Sequence, residues 1–309
     1  MGKFGPTQMN DLVDKLKKSK NLVICANDAG GAENLSSFLV ANNIMGSLLL
    51  QGPALKIFSV KFSNHYDLLI KQMPTSVDIL LTGTGNQTEF EFNAMSKVLD
   101  SGGEVIAVLD HWTNYPERFT RYGSSVTPTA ILVFDGEAER LAKTHFTENK
   151  IYRSPNYYFK DIAKSYKELI KEKIAKENQQ DFLFLCEPIS RDRFNRTKDY
   201  DEYDSLEYFF RILKNWNLQE SRITIRPHPS DPEKKYNSRI PINFRNTVID
   251  YRSSLVENLV KSKVIVGCNT MAMIVALDLG KRVLSAVPPP ARTILPHKGI
   301  IKIQDWSPF

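Results

Sequence analysis

Short apolar runs alternate with amphipathic stretches along most of this chain, and that alternation limits its fold more than any other feature. The apolar runs are typical of buried strands, and the stretches between them have helical periodicity. A β-α-β-α order of this kind predicts a mostly parallel sheet with helices on both faces. In the first half the predicted strands are 21–26, 47–52, 78–83, 104–110 and 130–135.

The alternation is interrupted once, near the middle of the chain. The stretch 151–180 carries no strand-like run, and most of it has the pattern of a polar, lysine-rich helix. We therefore predict two Rossmann-like α/β domains, residues 1–155 and 181–309, joined by a linker helix at 156–180. Ligands of open α/β sheets bind beyond the carboxyl ends of the strands, so the two domains are expected to face a cleft. The predicted strands of the second half are 181–187, 222–227, 247–251, 263–268 and 282–287.

The charge balance favours an anionic partner. The 309 residues carry a formal net charge of +6, which suits a phosphate, a nucleotide, a nucleic acid or an anionic lipid surface. The lysine clusters are typical of solvated helix faces, and the basic residues are not interleaved with aromatic ones. Nucleic acid is therefore not expected as a partner.

Cysteine usage and hydropathy predict a cytoplasmic protein. Cys25, Cys186 and Cys268 lie far apart in apolar surroundings, a spacing that matches neither a zinc site nor a disulfide framework. Buried free thiols are typical of a reducing compartment. The first 16 residues lack the apolar core of a signal peptide, and no run is long enough for a transmembrane helix. Contact with the inner face of a membrane is the most that we expect.

Chemically active side chains directly follow the first predicted strand, in the sequence NDAGGAENL. Gly30 and Gly31 permit a tight turn and a close approach of the backbone to a ligand. We predict that Asn27, Gly30 and Gly31 contact a substrate and that Asp28 serves in catalysis. The structural alternative is that Asp28 only caps the following helix.

The third predicted strand is followed by TGTGNQTEFE. Backbone amides around Thr84 and Gly85 are expected to hold a phosphate or a sugar hydroxyl of the substrate. The motif lacks the Lys-Ser/Thr ending of a Walker loop and is not a clean GxGxxG fingerprint. It therefore predicts a substrate contact without predicting a dinucleotide site.

The densest group of polar side chains in the first half follows the fourth predicted strand, in LDHWTNYPERF. Asp110 beside His111 offers a catalytic base or a charge-assisted hydrogen bond. Trp112 or Tyr115 is expected to stack on a sugar face, and Asn114 to contact the substrate. The alternative is that both aromatic rings belong to the core and that a backbone group satisfies His111.

Two segments of the second half have the pattern of phosphate-binding sites. In RPHP, Pro227 and Pro229 exclude a helix around His228, so Arg226 and His228 are expected to contact a phosphate. Asn269 and Thr270 follow a buried run and begin an apolar helix, whose free amides form an anion site. A plain proline-rich turn and a purely structural cap are the respective alternatives.

The RPHP turn and the strand–cap–helix pattern that ends in ALDLGKRVLS resemble the C-terminal nucleotide-binding domain of GT-B-fold glycosyltransferases. The resemblance covers roughly residues 181–288 and is nearest to bacterial capsule and lipopolysaccharide enzymes of the sialyltransferase, polysialyltransferase and Kdo-transferase type. In those sialyltransferases a His-Pro motif and a Ser-Ser/Thr motif bind the CMP part of the donor. An acidic motif supplies the general base, and Asp28 in NDAGG is its best match here.

By this resemblance, His228 and Pro229 form the His-Pro pair, and Asn269 and Thr270 occupy the Ser-Ser/Thr position. The sequence departs from the family in two places. Asn269 replaces the first hydroxyl residue, and Val275 stands where many GT-B enzymes have a ribose-binding Glu. The second departure speaks against a standard UDP-sugar site.

The loop in LFLCEPISRDRFN changes from apolar to polar directly after the first predicted strand of the second half. If this domain binds a nucleotide, Glu187 is expected to accept hydrogen bonds from the base or the ribose. Ser190 or Arg191 is then expected to reach a phosphate. A solvated loop is the alternative, and from Asp192 onward it is the preferred one.

The resemblance implies a GT-B-like architecture and an inverting glycosyltransferase that needs no metal or other cofactor. It implies a CMP-activated donor of an acidic sugar (sialic acid, Kdo or a pseudaminic-type sugar) and a surface-glycan acceptor, free or lipid-linked, with peripheral association to the membrane. Asp28, or else Asp110 with His111, would take the proton of the acceptor hydroxyl. The alternatives are a GT-B-fold nucleotide-sugar epimerase or hydrolase and a non-catalytic nucleotide- or sugar-binding module.

Overall fold

The predicted α/β class is confirmed by the computed structural model, which describes residues 6–63, 65–85, 88–172, 179–191 and 199–307. The chain divides into two compact units after Tyr158. Each unit contains a six-stranded sheet in which all neighbouring strands run parallel. Parallel sheets of this kind are buried on both faces, which explains the continuous apolar runs of the sequence.

The first sheet is formed by six of the eight strands found among the described residues of the first unit. The strands in chain order are β1 (Leu22–Ala26), β2 (Ser47–Leu50), β3 (Ile79–Thr82), β4 (Glu104–Val108), β5 (Thr120–Arg121), β6 (Ser124–Ser125), β7 (Ala130–Val133) and β8 (Lys150–Arg153). Their order in the sheet is β2-β1-β3-β4-β7-β8, and β5 and β6 form a separate small hairpin.

One strand of this sheet contradicts the expectation that the stretch 151–180 begins without a strand. β8 pairs with β7 at the edge of the sheet. Only its two central residues, Ile151 and Tyr152, are buried, and Lys150 and Arg153 flank them in solvent. So short an apolar run at a sheet edge gives a weak strand signal in sequence.

Helices of the first unit pack on both faces of its sheet. Leu12 and Leu16 of the first helix and Phe38 of the second are fully buried against β1 and β3 in one apolar cluster. Burying each such side chain contributes about 1.5–3 kcal/mol. The helices are α1 (Pro6–Lys18), α2 (Ala29–Asn42), α3 (Pro53–Lys61), α4 (Phe90–Asp100) and α5 (Gly136–His145), followed by α6 (Tyr157–Lys171) at the division between the units.

The second unit repeats the architecture around a core rich in aromatic side chains, in which Phe184 and Phe209 lie with ring centroids 5.1 Å apart. Its strand order is β11-β10-β9-β12-β13-β14. The strands are β9 (Gln180–Leu185), β10 (Ile223–Arg226), β11 (Thr247–Ile249), β12 (Ser262–Gly267), β13 (Arg282–Ser285) and β14 (Ile300–Lys302), and the helices are α7 (Glu202–Asn215), α8 (Leu255–Lys261) and α9 (Met271–Asp278).

Parallel strands bring all their carboxyl ends to one edge within each sheet. The loops after β1, β3 and β4 therefore meet at one edge of the first sheet, and those after β9, β10 and β12 meet at one edge of the second. In such sheets these edges are where ligands bind. Among the described residues, none of the helices has the length and apolar character needed to cross a bilayer.

Candidate functional site

Asp28 begins the site at the carboxyl edge of the first sheet. β1 is buried throughout and ends one residue before Asn27, so the chain leaves the core at Asp28. Asp28 is the N-cap of α2, and its Oδ1 accepts a hydrogen bond of 3.0 Å from the backbone N–H of Gly31. The capping role considered for Asp28 is therefore present, and it fixes the position of one carboxylate oxygen.

The two glycines after Asp28 serve close packing and helix geometry. A β-carbon on Gly31 would lie 3.0 Å from Asp28 Oδ1 and 3.6 Å from the Cα of Gly83 in the neighbouring loop. The carbonyl of Gly30 accepts a hydrogen bond from the Asn34 side chain. Gly31 thus lets the loop after β3 approach the start of α2.

Glu91, which the sequence did not single out, joins the loops after β1 and β3. Its side chain lies in the first turn of α4 and is only 1% exposed. Oε1 accepts from the backbone N–H of Asn27 at 3.0 Å, and Oε2 accepts from the N–H of Gly85 at 2.7 Å. The Gly85 amide that we expected to hold a substrate phosphate is therefore bonded to a carboxylate of the protein itself.

Asp110 is tied to the same edge by Arg118. The guanidinium Nη1 donates to Asp110 Oδ1 at 2.8 Å and to the Thr84 carbonyl and hydroxyl oxygens at 3.2 and 3.0 Å. Its Nε donates to the carbonyl of Thr113 at 3.2 Å. Thr84 is 1% exposed, and its hydroxyl also donates to the carbonyl of Val108. Arg118 thereby holds the loops after β3 and β4 together.

Three carboxylates and one guanidinium thus meet in little solvent. Burial, followed by the negative charge of Asp110, raises the pKa of Asp28 to about 7, although the Gly31 amide and Arg118 oppose this shift. Burial and the charge of Asp28 raise the pKa of Glu91 to about 8, against the amides of Asn27 and Gly85. Burial opposes the charge of Arg118, but Asp110 and Asp28 outweigh it and raise the Arg118 pKa.

Other predicted residues of this edge have structural partners. The side-chain Oδ1 of Asn27 lies where a β-carbon on Gly52 would approach within 2.8 Å, so it packs towards the turn before α3. His111 Nδ1 lies 2.9 Å from the hydroxyl of Thr113. Asn114 adopts a left-handed backbone (φ 56°) and its carbonyl accepts from Arg118 N–H, so it forms a turn.

The two aromatic side chains of this segment lie in the core, as the structural alternative had it. Trp112 is 6% exposed and its indole N–H donates to Asp135 Oδ2 at 2.8 Å. Tyr115 is 2% exposed and its ring lies 6.0 Å from that of His145 and 6.3 Å from that of Phe146. Core packing accounts for both rings, and neither face is presented to a sugar in this conformation.

In the second unit, His228 lies in a turn with fixed hydrogen bonds. Its backbone N–H donates to Asp231 Oδ2 at 3.0 Å. His228 Nδ1 lies 2.8 Å from the hydroxyl of Ser230 and 3.2 Å from its backbone nitrogen, so Ser230 fixes the orientation of the imidazole. Pro229 directly follows and removes one backbone donor. Arg226, the last residue of β10, donates from Nη1 to the carbonyl of Ser253 in the loop after β11.

Ser190 is bonded to a buried charge network in place of an open phosphate site. Its backbone N–H and hydroxyl donate to Glu202 at 2.8 and 2.9 Å. Lys235 Nζ binds Glu202 Oε1 at 2.5 Å and Asp231 Oδ1 at 2.6 Å. The side chains of Lys235, Glu202 and Asp231 are 6%, 2% and 0% exposed. The network therefore links the loop after β9 to the His228 turn and to the start of α7.

The start of α9 is also occupied by protein groups. Glu187 Oε2 accepts from the backbone N–H of Asn269 at 2.8 Å. The Asn269 side chain, 1% exposed, donates to the Tyr200 hydroxyl and accepts from the Thr293 hydroxyl. Thr270 is the N-cap of α9 and accepts from an amide of the first turn. Glu187 and Asn269 thus have structural partners, and the side chain of Arg191 lies outside the described part of the chain.

The structure therefore gathers the predicted residues into two clusters, one per unit. Asp28, Asp110, Thr84 and Gly85 meet in the first, together with Glu91 and Arg118. His228 and Ser190 are joined through the Lys235 network in the second, and Glu187 meets Asn269 beside them. No group of three or more His, Cys, Asp or Glu side chains among the described residues is arranged to hold a metal ion.

The residues of the two clusters that were not predicted as site residues have only weak signals in the sequence. Glu91 lies in an ordinary amphipathic pattern, and only its place directly after a Gly-x-Gly loop points to amide binding. Arg118 lies in the dense polar segment but without a distinguishing neighbour. Lys235 and Glu202 lie 33 residues apart, in charged stretches that are typical of solvent-exposed segments.

Comparison with known proteins finds similarity in structure only. No protein-family model and no curated protein matches the sequence. The structure is similar to the Methanocaldococcus jannaschii UDP-GlcNAc 2-epimerase in complex with UDP-GlcNAc and UDP, with a TM-score of 0.57 and 13% identity over 86% of this chain and 83% of that one. It is also similar to Arabidopsis thaliana UGT89C1 complexed with UDP, with a TM-score of 0.51 and 10% identity over 86% and 80% of the two chains. The two parallel-sheet α/β domains are those of the GT-B fold.

Proposed function

We propose that this protein is an inverting glycosyltransferase that uses a nucleotide-activated sugar, with Asp28 as the general base. The proposal rests on the fixed position and the raised pKa of the Asp28 carboxylate. One of its oxygens is fixed by the Gly31 amide, and burial with the nearby charge of Asp110 raises its pKa to about 7. A base is most effective when its pKa lies near the working pH.

The proposed reaction needs one base and stabilisation of one leaving group. Asp28 takes the proton of the acceptor hydroxyl while the acceptor oxygen bonds to the anomeric carbon of the sugar. The bond from that carbon to the donor phosphate breaks, and the nucleotide leaves with the electron pair. His228, whose ring orientation is fixed by Ser230, and Arg226 are the proposed partners of the phosphate.

Asp110 is the less suitable base of the two that the sequence offered. Its Oδ1 is bonded to Arg118 at 2.8 Å, and its side chain is 10% exposed. The guanidinium already occupies this oxygen, whereas Oδ2 of Asp28 faces the glycine loop without a guanidinium bonded to it among the described contacts. We therefore assign the proton transfer to Asp28, and we assign Asp110 and His111 to the surroundings of the base.

The finer proposal concerns the donor, for which the sequence resemblance supports CMP linked to an acidic sugar. The two similar solved structures contain UDP, so UDP is the competing nucleotide. Thermal unfolding with CMP, CDP, UDP and GDP decides between them, because binding stabilises the native state. We expect CMP to raise Tm, the exposed-residue control His65→Ala to keep that rise, and His228→Ala to lose it. A rise of Tm with UDP but not with CMP would make UDP the nucleotide of the donor in place of CMP and would leave the rest of the proposal unchanged.

The acceptor proposal is a surface glycan, free or lipid-linked, with peripheral contact to a membrane in the second case. The net charge of +6 on this chain favours binding to an anionic acceptor surface. The proposed step uses no metal ion, so we expect EDTA to leave sugar transfer unchanged. Loss of transfer with EDTA and its recovery with a divalent cation would contradict this part.

A nucleotide-sugar epimerase or hydrolase is the second candidate, and one observation favours it. Asp28 and Glu91 are two neighbouring carboxyls with raised pKa values, which suits one acid and one base on a single substrate. Incubation with CMP- and UDP-sugars, with and without a glycan acceptor, separates the candidates. Transfer that requires acceptor supports the transferase; epimer or free sugar formed at full rate without acceptor overturns it. Asp28→Ala and His228→Ala variants that change no activity would indicate a binding module.

A further inference from the structure

We propose that the hairpin of β5 and β6 is an acceptor-binding arm, in which the ring of Tyr122 stacks on a sugar ring of the acceptor glycan. The inference rests on the proposed transferase function and deepens it, because it names the element that holds the acceptor. Tyr122 is assigned a contact with substrate, and the proton transfer stays with Asp28.

Tyr122 lies at the tip of this hairpin in a strained and exposed position. Arg121 pairs with Ser124, so Tyr122 and Gly123 form a two-residue turn, and their φ angles are 49° and 82°. Such turns favour Asn, Asp or Gly in the first place, and a bulky side chain in left-handed backbone is strained. Because Tyr122 is 88% exposed, core packing does not explain a tyrosine here. Backbone strain of this kind is typical of binding and catalytic sites.

The neighbouring Arg121 fixes the base of the hairpin to the glycine loop after β3. Its side chain is buried, and Nη1 donates to backbone carbonyls of the segment 117–120 at 2.9–3.4 Å. Nη2 donates to the carbonyl of Gly85 at 3.0 Å. A β-carbon on Gly85 would lie 3.3 Å from Asp28 Oδ2. Tyr122 therefore directly follows a residue whose side chain reaches the loop beside the proposed base.

The chemistry of the hairpin suits a sugar better than a lipid surface. Three further residues of the hairpin are exposed and carry hydroxyl groups, namely Thr120, Ser124 and Ser125. The charged residue of the segment 120–125 is Arg121, and its guanidinium is bonded inward. Segments that lie on anionic lipid instead present exposed cations beside aliphatic side chains. The ring at the tip offers an apolar face to the C–H groups of a sugar, and the hydroxyls offer hydrogen bonds to its OH groups.

Tyr122 also supplies the aromatic contact that the sequence placed earlier in the same segment. Trp112 and Tyr115 lie in the core, whereas Tyr122 presents its ring to solvent. A tyrosine side chain has two rotatable bonds, so ordering it on a sugar costs little conformational entropy. The pairing of β5 with β6 holds the turn in place before any ligand binds, which lowers that cost further.

Binding to an array of bacterial surface oligosaccharides tests the arm without donor or catalysis. We expect wild type and Tyr122→Phe to bind glycans of the array with similar affinity, because both have the ring. Tyr122→Leu should bind about tenfold more weakly, the scale of a lost aromatic contact. Lys234→Leu is the matched control and should bind as wild type does, because Lys234 is also exposed in left-handed backbone (φ 67°) but lies in the second unit.

Three outcomes of the binding experiment would overturn the inference. The first is equal affinity of Tyr122→Leu and wild type for the glycans, and the second is a wild type that binds no glycan of the array. The third is binding of both proteins to phosphatidylglycerol vesicles without glycan binding, which would indicate a lipid contact, since leucine inserts into lipid but has no ring to stack on a sugar.

A second variant keeps the test available if Tyr122→Leu does not fold. Asn is favoured in the first place of this turn, so Tyr122→Asn should have a Tm at least equal to that of wild type. We expect it to lose glycan binding by about tenfold as well. Full glycan affinity in a folded Tyr122→Asn protein would overturn the inference.

Transferase kinetics separate this inference from the proposed function. We expect Tyr122→Leu to raise the acceptor KM about tenfold and to leave kcat and the donor KM in place, because a contact made equally before and in the transition state changes binding alone. An unchanged acceptor KM in an active Tyr122→Leu enzyme overturns the inference and retains the proposed function. Glycan binding that depends on Tyr122, in a protein that transfers no sugar, supports the arm as a glycan-binding element and overturns the transferase.

Discussion

The carboxylates of Asp28 and Glu91 lie against the same glycine. A β-carbon on Gly85 would approach Asp28 Oδ2 to 3.3 Å and Glu91 Oε2 to 2.7 Å. Neither carboxylate has a lysine or arginine bonded to it among the described contacts of this edge, because Nη1 of Arg118 is bonded to Asp110. Burial raises the pKa of both acids, and the charge of Asp28 raises that of Glu91 further, whereas the backbone amides that bind each carboxyl oppose these shifts.

Gly85→Ala should destabilise the protein and lower activity. The added methyl group would overlap Glu91 Oε2, and overpacking of this kind costs about 1–3 kcal/mol. Gly136→Ala is the matched control, because a β-carbon there meets only Arg153 Nη1 at 3.5 Å, at the first residue of α5. Denaturant unfolding of both variants measures the difference. Equal stability of the two would show that the glycine loop has room to move.

Asp28→Asn should abolish most of the transfer without loss of stability. Asn is as good an N-cap as Asp, so the bond to Gly31 can be kept, but the base is lost and kcat should fall about 10²–10⁴-fold. Asp201→Asn, at the N-cap of α7, is the control for a changed cap and should retain kcat. Steady-state kinetics measures the fall in kcat, and Tm measures whether stability is kept. A kcat of Asp28→Asn within a factor of three of wild type would exclude Asp28 as the base.

The free energy of unfolding should fall as the pH rises from about 4 to about 8. The folded-state pKa values of Asp28 and Glu91 are raised to about 7 and about 8, whereas carboxyls of the unfolded chain ionise near pH 4. In that window the folded state binds more protons than the unfolded state, so stability decreases with pH. The same effect should be weaker in Asp28→Asn, which we expect to be the more stable protein at pH 8. Urea unfolding at pH 5, 6.5 and 8 measures both slopes, and parallel curves would contradict the raised pKa of Asp28.

Lys235→Met should be among the most destabilising substitutions in the second unit. Hydrogen bonds to Asp231 and Glu202 outweigh burial and raise the pKa of Lys235, so its removal leaves two carboxylates without a cation in little solvent. Removing one partner of a buried ion pair costs about 3–5 kcal/mol.

The matched control for this prediction is Lys263→Met. Lys263 Nζ binds Asp181 Oδ1 at 2.8 Å in the same unit, but its side chain is 49% exposed. An exposed pair of this kind contributes at most about 1 kcal/mol. Similar losses of unfolding free energy in the two variants would show that the Lys235 network is hydrated.

Most strands were predictable because each is a short apolar run buried on both faces, and such runs stand out between polar turns. β1, β3 and β4 were found within one or two residues in this way. β8 and β14 were missed because each is only three or four residues long and partly exposed, so its apolar signal is short. Asp28 and Asp110 stood out in the sequence because each lies two residues beyond the end of a buried strand, and their roles in catalysis stay predictions.

By itself, the sequence determined the two parallel sheets and the strand ends at which reactive side chains leave the core, since both follow from local periodicity and chain direction. Only the tertiary structure decided which group meets which. It placed Glu91 on the amides of Asn27 and Gly85, Glu187 on that of Asn269, and Tyr115 in the core. Contacts of this kind depend on distances between segments far apart in the chain, and burial then sets the proton affinities that no spacing in a sequence encodes.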